Sequence, residues 1–249
     1  TFSQQFSWIR KNFEQSNVKK VVPYIFETGS FQSENTNLLQ WVLSAALPMK
    51  KGFLYGAWED GQGFIGLTPE VLIEQKSQRE FSTMAVAGTA PLDEYQKQPQ
   101  LFHENDKENK EHDWVVRDIE EVLKKFGKVE SGERKVLTTH DLAHLKTEMN
   151  LEAQQEVPIE ELVLALHPTP ALGVYPRSKN QEVLNYRNQL NVRDKFGAPF
   201  GFSLSEDKAL FVVAIRRMEW MQDQLKIGAG CGVVPESQLE KEWRELKHK

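Results

Sequence analysis

The chain has 249 residues, of which 39% are hydrophobic and 27% are charged, and its formal net charge is −5. This composition allows a sizeable core and excludes a largely disordered chain. The negative charge does not favour a nucleic-acid partner, and no apolar run approaches the roughly 18 residues that a membrane span needs. An anionic substrate is compatible with this charge if local cations or a metal bind it.

The single cysteine, Cys231, excludes an intrachain disulfide and favours a cytoplasmic location. The N-terminus carries no signal-peptide pattern. It also lacks an initiating Met, which is consistent with a trimmed chain.

The first third of the chain predicts two helices and several short strands. Apolar residues recur at helical spacing over 3–16 and indicate an amphipathic helix. Residues 19–28 read as a strand, in which Pro23 indicates an edge or a bulge. The next predicted elements are a helix over 34–47 and strands over 52–59, 63–67, 70–75 and 81–88.

The rest of the chain alternates between helices and hairpins. Ser237 and Glu240 match a capping box, so the last helix is predicted to begin at Ser237. Consecutive hairpins favour mostly antiparallel sheet, and we predict one α+β domain over residues 1–249. The predicted elements are helices over 104–126, 158–166 and 180–190, and strands within 134–150, 200–221 and 223–234.

Two pairs of glutamates are the most informative polar pattern. Glu108 and Glu111 stand one helical turn apart on the long predicted helix, and Glu242 and Glu245 do so on the last one. A single pair of this kind is most often a solvated face. Two pairs that face each other would instead suit Mg²⁺, which prefers carboxylate oxygens. Without a metal, we expect these carboxylates to repel one another.

Other candidate residues have both a structural and a functional interpretation. Glu70 follows a Thr-Pro turn and is either an edge carboxylate or a site residue. Gly88 and Thr89 end a predicted strand, where their backbone amides could meet an anion. Arg216 and Arg217 are predicted on opposite faces of one strand, and the buried one needs an anionic partner, either a ligand or a structural ion pair.

Two weaker motifs are not favoured as sites. His140 and His144 have the spacing of zinc ligands on a helix, but no glutamate follows the first histidine as a metalloprotease helix requires. The stretch GAGCG over 228–232 lacks the glycine spacing of a dinucleotide-binding loop. Its glycines are better explained by a close approach of the backbone to some other ligand.

Nine short stretches connect the sequence to a known family. They run from residue 20 to residue 249 and read KVVPYI, GLTPEVL, AVAGTA, KENKEHDWVV, HLKT, LHPTPALGVYP, FGAPFG, VAIRR and GAGCGVVPESQLEKEWRELKHK. With these stretches in this order, the sequence resembles the chorismate-utilising enzymes of the menaquinone, siderophore and tryptophan pathways. The resemblance implies an α+β fold of two packed, mostly antiparallel β-sheets flanked by helices, with the site between the sheets. It also implies chorismate as the small-molecule substrate and Mg²⁺ as the cofactor.

Three positions indicate the branch of the family. Lys20 begins the KVV strand, where the water-using members that make isochorismate or salicylate carry a water-activating lysine. Ala87 stands where the aminodeoxychorismate enzymes carry a lysine. Ala171, at the substrate, resembles the isochorismate synthases, because makers of salicylate and anthranilate usually carry threonine there.

The resemblance also implies the catalytic pair. In an isochorismate synthase, water adds at C2 of chorismate while the C4 hydroxyl leaves. Lys20 would be the general base and must be neutral, so burial should lower its pKa. Glu70 would be the general acid and must be protonated, so burial should raise its pKa.

The metal site follows from the same resemblance. Glu111 and Glu242 would hold Mg²⁺, which would bind the ring carboxylate of chorismate. Glu108 and Glu245 would lie in or next to that shell and orient it. Lys249 matches the family lysine seven residues after the metal-binding glutamate, so we expect the final helix to carry half of the metal site and to end on a residue of the site.

The remaining implied residues bind the substrate. Arg216 and the backbone of Gly230 would hold the enolpyruvyl carboxylate. Gly88 and Thr89 would meet the ring carboxylate, and His144 would lie close to the substrate.

Several departures from the family pattern leave alternatives open. Pro23, Tyr24 and Ile25 replace the usual Leu-Ser-Arg, Phe196 replaces a tyrosine, and Val174 stands where glycine is common. An N-terminal segment that most members carry is also missing from this sequence. A salicylate synthase and a non-catalytic chorismate-binding module or subunit are therefore alternatives, as is a weak, specialised or partner-dependent activity. The sequence does not determine the oligomeric state.

Overall fold

The computed structural model describes residues 1–30, 40, 43–44, 52–179, 182–183, 185 and 195–249. The helices predicted over 34–47 and 180–190 lie largely outside these described residues. Among the helices that are described, none combines the length and the apolar character that crossing a membrane requires.

Six α-helices occur in the described part of the chain. The predicted helices over 3–16, 104–126 and 158–166 are confirmed as α1, α4 and α5. The short α2 and α3 were not predicted, because fewer than two turns cannot show a helical period. The helices are α1 (Phe2–Gln15), α2 (Leu92–Lys97), α3 (Pro99–His103), α4 (Asp106–Leu123), α5 (Ile159–Leu166) and α6 (Leu239–His248).

Every pairing between the described strands is antiparallel. The strands are β1 (Lys20–Val21), β2 (Tyr24–Ser30), β3 (Phe53–Glu59), β4 (Gln62–Thr68), β5 (Val71–Gln75), β6 (Glu80–Pro91), β7 (Gly127–Ser131), β8 (Lys135–Thr138), β9 (Leu142–Ala153), β10 (Val174–Tyr175), β11 (Pro199–Ser205), β12 (Lys208–Val213), β13 (Arg217–Met221) and β14 (Gln224–Gly230).

These strands form two large sheets and one small one. The seven-stranded sheet has the order β11-β12-β5-β6-β9-β7, with β8 also paired to β9, and the five-stranded sheet has the order β2-β14-β13-β4-β3. Strands β1 and β10 pair separately. Aromatic rings join the large sheets: the ring centroid of Phe200 on β11 lies 5.3 Å from that of Tyr55 and 5.6 Å from that of Phe64. The predicted α+β fold of two packed antiparallel sheets with flanking helices is confirmed.

Helix α4 brings charged residues to the seven-stranded sheet. Its first turns bury Glu108, Glu111 and His112, whereas its later turns bury mainly apolar residues that pack into the core. The Asn105 side chain caps the helix by accepting hydrogen bonds from the backbone N–H groups of Lys107 and Glu108. The same helical face therefore serves the core at one end and a polar site at the other.

The pairing of β6 with β9 contains a bulge next to this polar end. The register shifts between Ala87 and Thr89, and Gly88 lies between them with a φ of +79°. A Cβ atom at Gly88 would stand 2.9 Å from the carbonyl oxygen of Glu108. Both the backbone conformation and the close approach of α4 thus require glycine.

The strand predicted across Arg216 and Arg217 is wrong. Strand β12 ends at Val213 in the seven-stranded sheet, and β13 begins at Arg217 in the five-stranded sheet. The three residues between them carry the chain from one sheet to the other, and Arg216 adopts a φ of +52°. Arg216 and Arg217 therefore do not alternate across one strand.

Two other predicted boundaries also differ. The strand predicted over 19–28 is divided, because β1 pairs with β10 whereas β2 joins the five-stranded sheet, and Pro23 lies at the division with no N–H to donate. Helix α6 begins at Leu239 rather than Ser237. The Ser237 hydroxyl accepts a hydrogen bond from the Val234 N–H at 3.0 Å, so the predicted capping box does not form.

Candidate active site

An inner cavity of about 70 Å³ lies between the two large sheets. Strands of both sheets, the small β1–β10 pair and the end of the chain contribute to its walls. Gly88 is not itself a wall residue but adjoins one, Thr89. The predicted site residues that line the inner cavity are Lys20, Glu70, Thr89, Glu111, His144, Ala171, Arg216, Gly230 and Lys249.

Lys20 is buried in this cavity, with only 1% of its surface exposed. Its Nζ lies 3.1 Å from Oε1 of Glu111. Burial lowers the pKa of Lys20, while the neighbouring Glu111 carboxylate opposes part of this shift. The ammonium is therefore destabilised, as a lysine that acts as a base requires.

Glu70 lies directly before β5 and directly after the Thr-Pro turn. Its backbone N–H donates to Thr68 Oγ1 at 3.3 Å, which helps to set the direction in which the carboxyl group enters the cavity. Burial raises the pKa of Glu70 to about 7, against the opposing effect of Lys20, Lys249 and Arg216. A buried carboxyl group of this kind can hold a proton near neutral pH.

The bulge at Gly88 places Thr89 next to the Glu108 carboxylate and the His144 ring. The Thr89 N–H donates to Oε2 of Glu108 at 2.7 Å, so this amide already binds a carboxylate oxygen. Oγ1 of Thr89 lies 3.1 Å from Nδ1 of His144, and Arg216 Nη2 donates to Nε2 of the same ring at 2.6 Å. Burial first, and then Arg216 and Lys249, lower the pKa of His144 well below its ordinary value, so the ring is neutral.

The four predicted metal-site glutamates come together from α4 and α6, and we call them the carboxylate cluster: Glu108, Glu111, Glu242 and Glu245. Three of the four surround a lysine that the sequence reasoning missed. Nζ of Lys107 lies 3.1 Å from Glu108 Oε1, 3.2 Å from Glu111 Oε2 and 3.1 Å from Glu242 Oε1. The expected repulsion between the carboxylates is present, since burial and then Glu245 and Glu111 raise the pKa of Glu242, but the Lys107 ammonium offsets part of it.

The carboxylates of the cluster differ in proton affinity. Burial alone would raise the pKa of Glu111, but Lys20, Lys107 and Lys249 outweigh it and lower that pKa to about 2. Burial raises the pKa of Glu242 to about 7, with Lys107 opposing and neighbouring carboxylates adding to the shift. Glu111 is thus more strongly ionised than Glu242.

Lys249 follows the last residue of α6 and lines the inner cavity. Its Nζ lies 2.6 Å from Oε1 of Glu245 and donates to the carbonyl oxygen of Gly230 at 2.9 Å. Burial would lower the pKa of Lys249, but Glu245 and other anions outweigh this and raise it. The lysine is therefore a charged group of the cavity wall.

An outer cavity of about 620 Å³ lies on the α6 side of the cluster. Thr89 lines both cavities, while Glu108, Glu242 and Glu245 line only the outer one. Glu111 lines only the inner one. The carboxylate cluster therefore stands between the two cavities.

The donor set of the cluster suits a hard divalent cation. Carboxylate oxygens are the protein ligands that Mg²⁺ prefers, and three of these groups already converge on one cation, the Lys107 ammonium. In the described ranges of the chain, no three His, Cys, Asp or Glu side chains stand in a ready metal-binding arrangement. The residues fit Mg²⁺ if the ammonium leaves and the carboxylates close in.

Gly232 is a second residue that sequence reasoning did not single out. A Cβ atom there would stand 1.9 Å from Glu111 Oε1 and 2.9 Å from Lys20 Cε. The glycine therefore leaves the space in which the Lys20–Glu111 pair forms. The stretch GAGCG was expected to approach a ligand, and at Gly232 the group that it approaches is a side chain of the chain itself, the Glu111 carboxylate.

Arg217 has a structural role. Its side chain is buried, pairs with Glu219 and lies 5.1 Å from the ring centroid of Phe64. Of the two alternatives considered for a buried arginine, the structural ion pair applies to this one.

Comparison with known proteins agrees with the geometry. Residues 1–249 match the family described as "Chorismate binding enzyme". Isochorismate synthase EntC of Escherichia coli (strain K12) is 32% identical over 195 residues, which cover 75% of this chain and 49% of EntC. Isochorismate synthase MenF of Bacillus subtilis (strain 168) is 30% identical over 203 residues, which cover 79% of this chain and 43% of MenF. The chain thus spans about half the length of the curated relatives it matches.

Solved structures show the same fold. MenF, the menaquinone-specific isochorismate synthase from Escherichia coli, aligns with a TM-score of 0.86 at 22% identity, over 99% of this chain and 58% of that one. Anthranilate synthase component I from Streptococcus pneumoniae TIGR4 aligns with a TM-score of 0.85 at 16% identity, over 100% of this chain and 56% of that one. With the family match over its whole length, the chain belongs to the chorismate-binding enzymes.

Proposed function

We propose that this chain is a Mg²⁺-dependent isochorismate synthase, which converts chorismate to isochorismate. The observation that carries the proposal is the pairing of Lys20 and Glu70 in one cavity with pKa shifts in opposite directions. One buried group loses its proton more readily than usual, and the other keeps its proton to a higher pH. This is the arrangement that a reaction with one general base and one general acid needs.

The two residues act at different positions of the chorismate ring. Neutral Lys20 takes a proton from the water that adds at C2 of the ring. Protonated Glu70 gives its proton to the C4 hydroxyl, which leaves as water while the ring double bonds shift. One water enters and one leaves, so the reaction is an isomerisation overall.

The carboxylate cluster would hold the metal. Glu111 and Glu242 would bind Mg²⁺, and Glu108 and Glu245 would lie beside them and orient them. When bound, Mg²⁺ would neutralise and polarise the ring carboxylate of chorismate. Lys249 keeps Glu245 in place through its 2.6 Å ion pair.

The remaining predicted residues in and beside the cavity wall would bind the two carboxylates of chorismate. Gly88 and Thr89 would receive the ring carboxylate. The hydrogen bond from the Thr89 N–H to Glu108 supports this role, because the amide already donates to a carboxylate oxygen. Arg216 and Gly230 would hold the enolpyruvyl carboxylate, with His144 between Thr89 and Arg216.

Two alternatives remain candidates. A salicylate synthase would add elimination of pyruvate at the same site, and Ala171 in the wall of the inner cavity favours the isochorismate synthase over it. A non-catalytic chorismate-binding module is favoured by Phe196, which lines the inner cavity and lacks the hydroxyl of the tyrosine that the family carries there.

Product analysis distinguishes the three functions. Purified protein is incubated with chorismate and Mg²⁺, and the products are separated by chromatography, with the Glu70→Gln variant as the matched control. The expected result is that the wild type forms isochorismate and the Glu70→Gln variant does not. Salicylate as the product would support the first alternative, and bound but unchanged chorismate would support the second.

A further inference from the structure

The ammonium of Lys107 occupies the centre of the carboxylate cluster. Its three carboxylate contacts are nearly equal in length, 3.1, 3.2 and 3.1 Å, and come from both α4 and α6. The partner side chains, Glu108, Glu111 and Glu242, are 10%, 7% and 3% exposed. A single cation thus joins carboxylates of two separate helices at a nearly buried point.

This contact differs from the ordinary ion pairs on the same helix. Lys110, one turn later, is 49% exposed and pairs with one carboxylate, that of Glu236. The Lys107 side chain is 16% exposed and contacts three carboxylates. Lys107 is therefore a largely buried cation with three partners, whereas Lys110 is a solvated one with a single partner.

We propose that Lys107 is a placeholder for the divalent cation: its ammonium neutralises the carboxylate cluster without metal and is displaced when metal binds. This inference rests on the metal assignment of the proposed function. An ammonium and a divalent cation that share the same three carboxylates would repel each other at close range. Because both need the same oxygens, binding of one excludes the other.

The displaced ammonium can move into the outer cavity. Lys107 lines the outer cavity of about 620 Å³, and its side chain is 16% exposed on that side. The flexible four-carbon stem lets the charged head move towards solvent without a change in the backbone. Glu111 would then exchange one of its two lysine contacts for the metal while it keeps Lys20.

Competition of this kind has two measurable consequences. The ammonium stabilises the protein without metal, because four carboxylates otherwise lie close together with little solvent. It also weakens the apparent affinity for metal, because the metal must displace it. Removing the charge should therefore shift stability and metal affinity in opposite directions.

The test uses Mg²⁺ alone, without chorismate. Titration calorimetry of the wild type and of Lys107→Gln should show tighter Mg²⁺ binding in the variant, on the order of 10- to 100-fold. Thermal unfolding in chelator should show a lower Tm for the variant, and saturating Mg²⁺ should reduce that difference. Lys110→Gln is the matched control and should leave both quantities unchanged.

A second measurement does not depend on the variant folding. In a structure of the wild type with Mg²⁺ bound, Lys107 Nζ should lie outside contact distance of at least two of its three carboxylates. Weaker Mg²⁺ binding by Lys107→Gln, or Nζ still among the three carboxylates with metal bound, would overturn the placeholder role. Neither result affects whether chorismate is converted to isochorismate, so the inference and the proposed function can fail separately.

Discussion

Arg216 donates a hydrogen bond to Nε2 of His144 at 2.6 Å, and this contact determines which ring nitrogen carries the proton. A guanidinium has no acceptor, so Nε2 must accept and Nδ1 must carry the hydrogen. Nδ1 then faces Oγ1 of Thr89 at 3.1 Å, and the Thr89 hydroxyl is left to donate its own hydrogen elsewhere. The chain from Arg216 through His144 thus orients Thr89 as a donor at the cavity wall.

The tautomer of His144 can be measured directly. We expect ¹⁵N NMR to show a neutral ring protonated at Nδ1 that stays neutral below pH 6, because burial and Arg216 lower its pKa well below 6.5. The His144→Gln variant identifies the resonances. A ring that titrates near pH 6.5, or that is protonated at Nε2, would contradict the orientation assigned to Thr89.

Glu70→Gln should change the pH dependence of stability. The folded-state pKa of Glu70 is raised from 4.5 to about 7, so its contribution to stability is present below about pH 4.5 and is lost as pH rises through about 7. Glutamine resembles the protonated form at every pH. Relative to the wild type, the variant should therefore gain stability between pH 5 and pH 8, by an amount on the order of 1–3 kcal/mol.

Denaturant unfolding at the two pH values measures this gain. Glu152→Gln, which replaces an exposed glutamate on β9, serves as the control and should show no comparable change. If the free energies of unfolding of Glu70→Gln and the wild type change equally between the two pH values, Glu70 is ionised at neutral pH and is unsuited to be the general acid.

Metal and chorismate should bind cooperatively. The cluster already lies against the amide of Thr89, so a metal there would place positive charge beside the ring carboxylate of the ligand. Calorimetry should show chorismate binding at least about tenfold more weakly in chelator than in Mg²⁺, which corresponds to about 1.4 kcal/mol. Glu242→Ala should remove the difference, whereas Glu240→Ala, on the exposed side of α6, should keep it. Equal affinity with and without Mg²⁺ would contradict the metal assignment.

Gly232→Ala should disturb the Lys20–Glu111 pair. The added Cβ would stand 1.9 Å from Glu111 Oε1, so the carboxylate or the backbone must shift. We expect a loss of roughly 1–3 kcal/mol in the free energy of unfolding, together with reduced activity. Gly29→Ala is the control, because nothing lies within 4 Å of a Cβ there. A Gly232→Ala variant as stable and active as the wild type would show that the pair has no such spatial constraint.

The sequence predicted the parts of the molecule that depend on local pattern. The glutamate pairs on α4 and α6 could be placed because helical spacing alone puts such residues on one face. The strands around Arg216 were predicted wrongly, because the chain changes sheets between Val213 and Arg217, and that crossing is a tertiary event without a local signal.

Lys107 was missed for a related reason. Its i, i+4 spacing to Glu111 is a local signal for one of the three contacts. The contact with Glu242 comes from another helix, so spacing along α4 could not show that three carboxylates surround the ammonium. The Ser237 cap failed because that hydroxyl bonds to the preceding turn at Val234 instead.

Lys20 is proposed to activate the water that adds to chorismate. This role is tested by comparing the rate of isochorismate formation from chorismate and Mg²⁺ by the wild type, Lys20→Ala and Lys19→Ala. Lys19 is exposed and adjacent to the buried Lys20. Comparing the two variants therefore distinguishes the loss of a buried base from the loss of a positive charge at the start of the strand. We expect near wild-type rates for Lys19→Ala and a loss of about 10²- to 10⁴-fold for Lys20→Ala, with the fold and chorismate binding retained. Near-full isochorismate formation by Lys20→Ala would show that Lys20 does not activate the water.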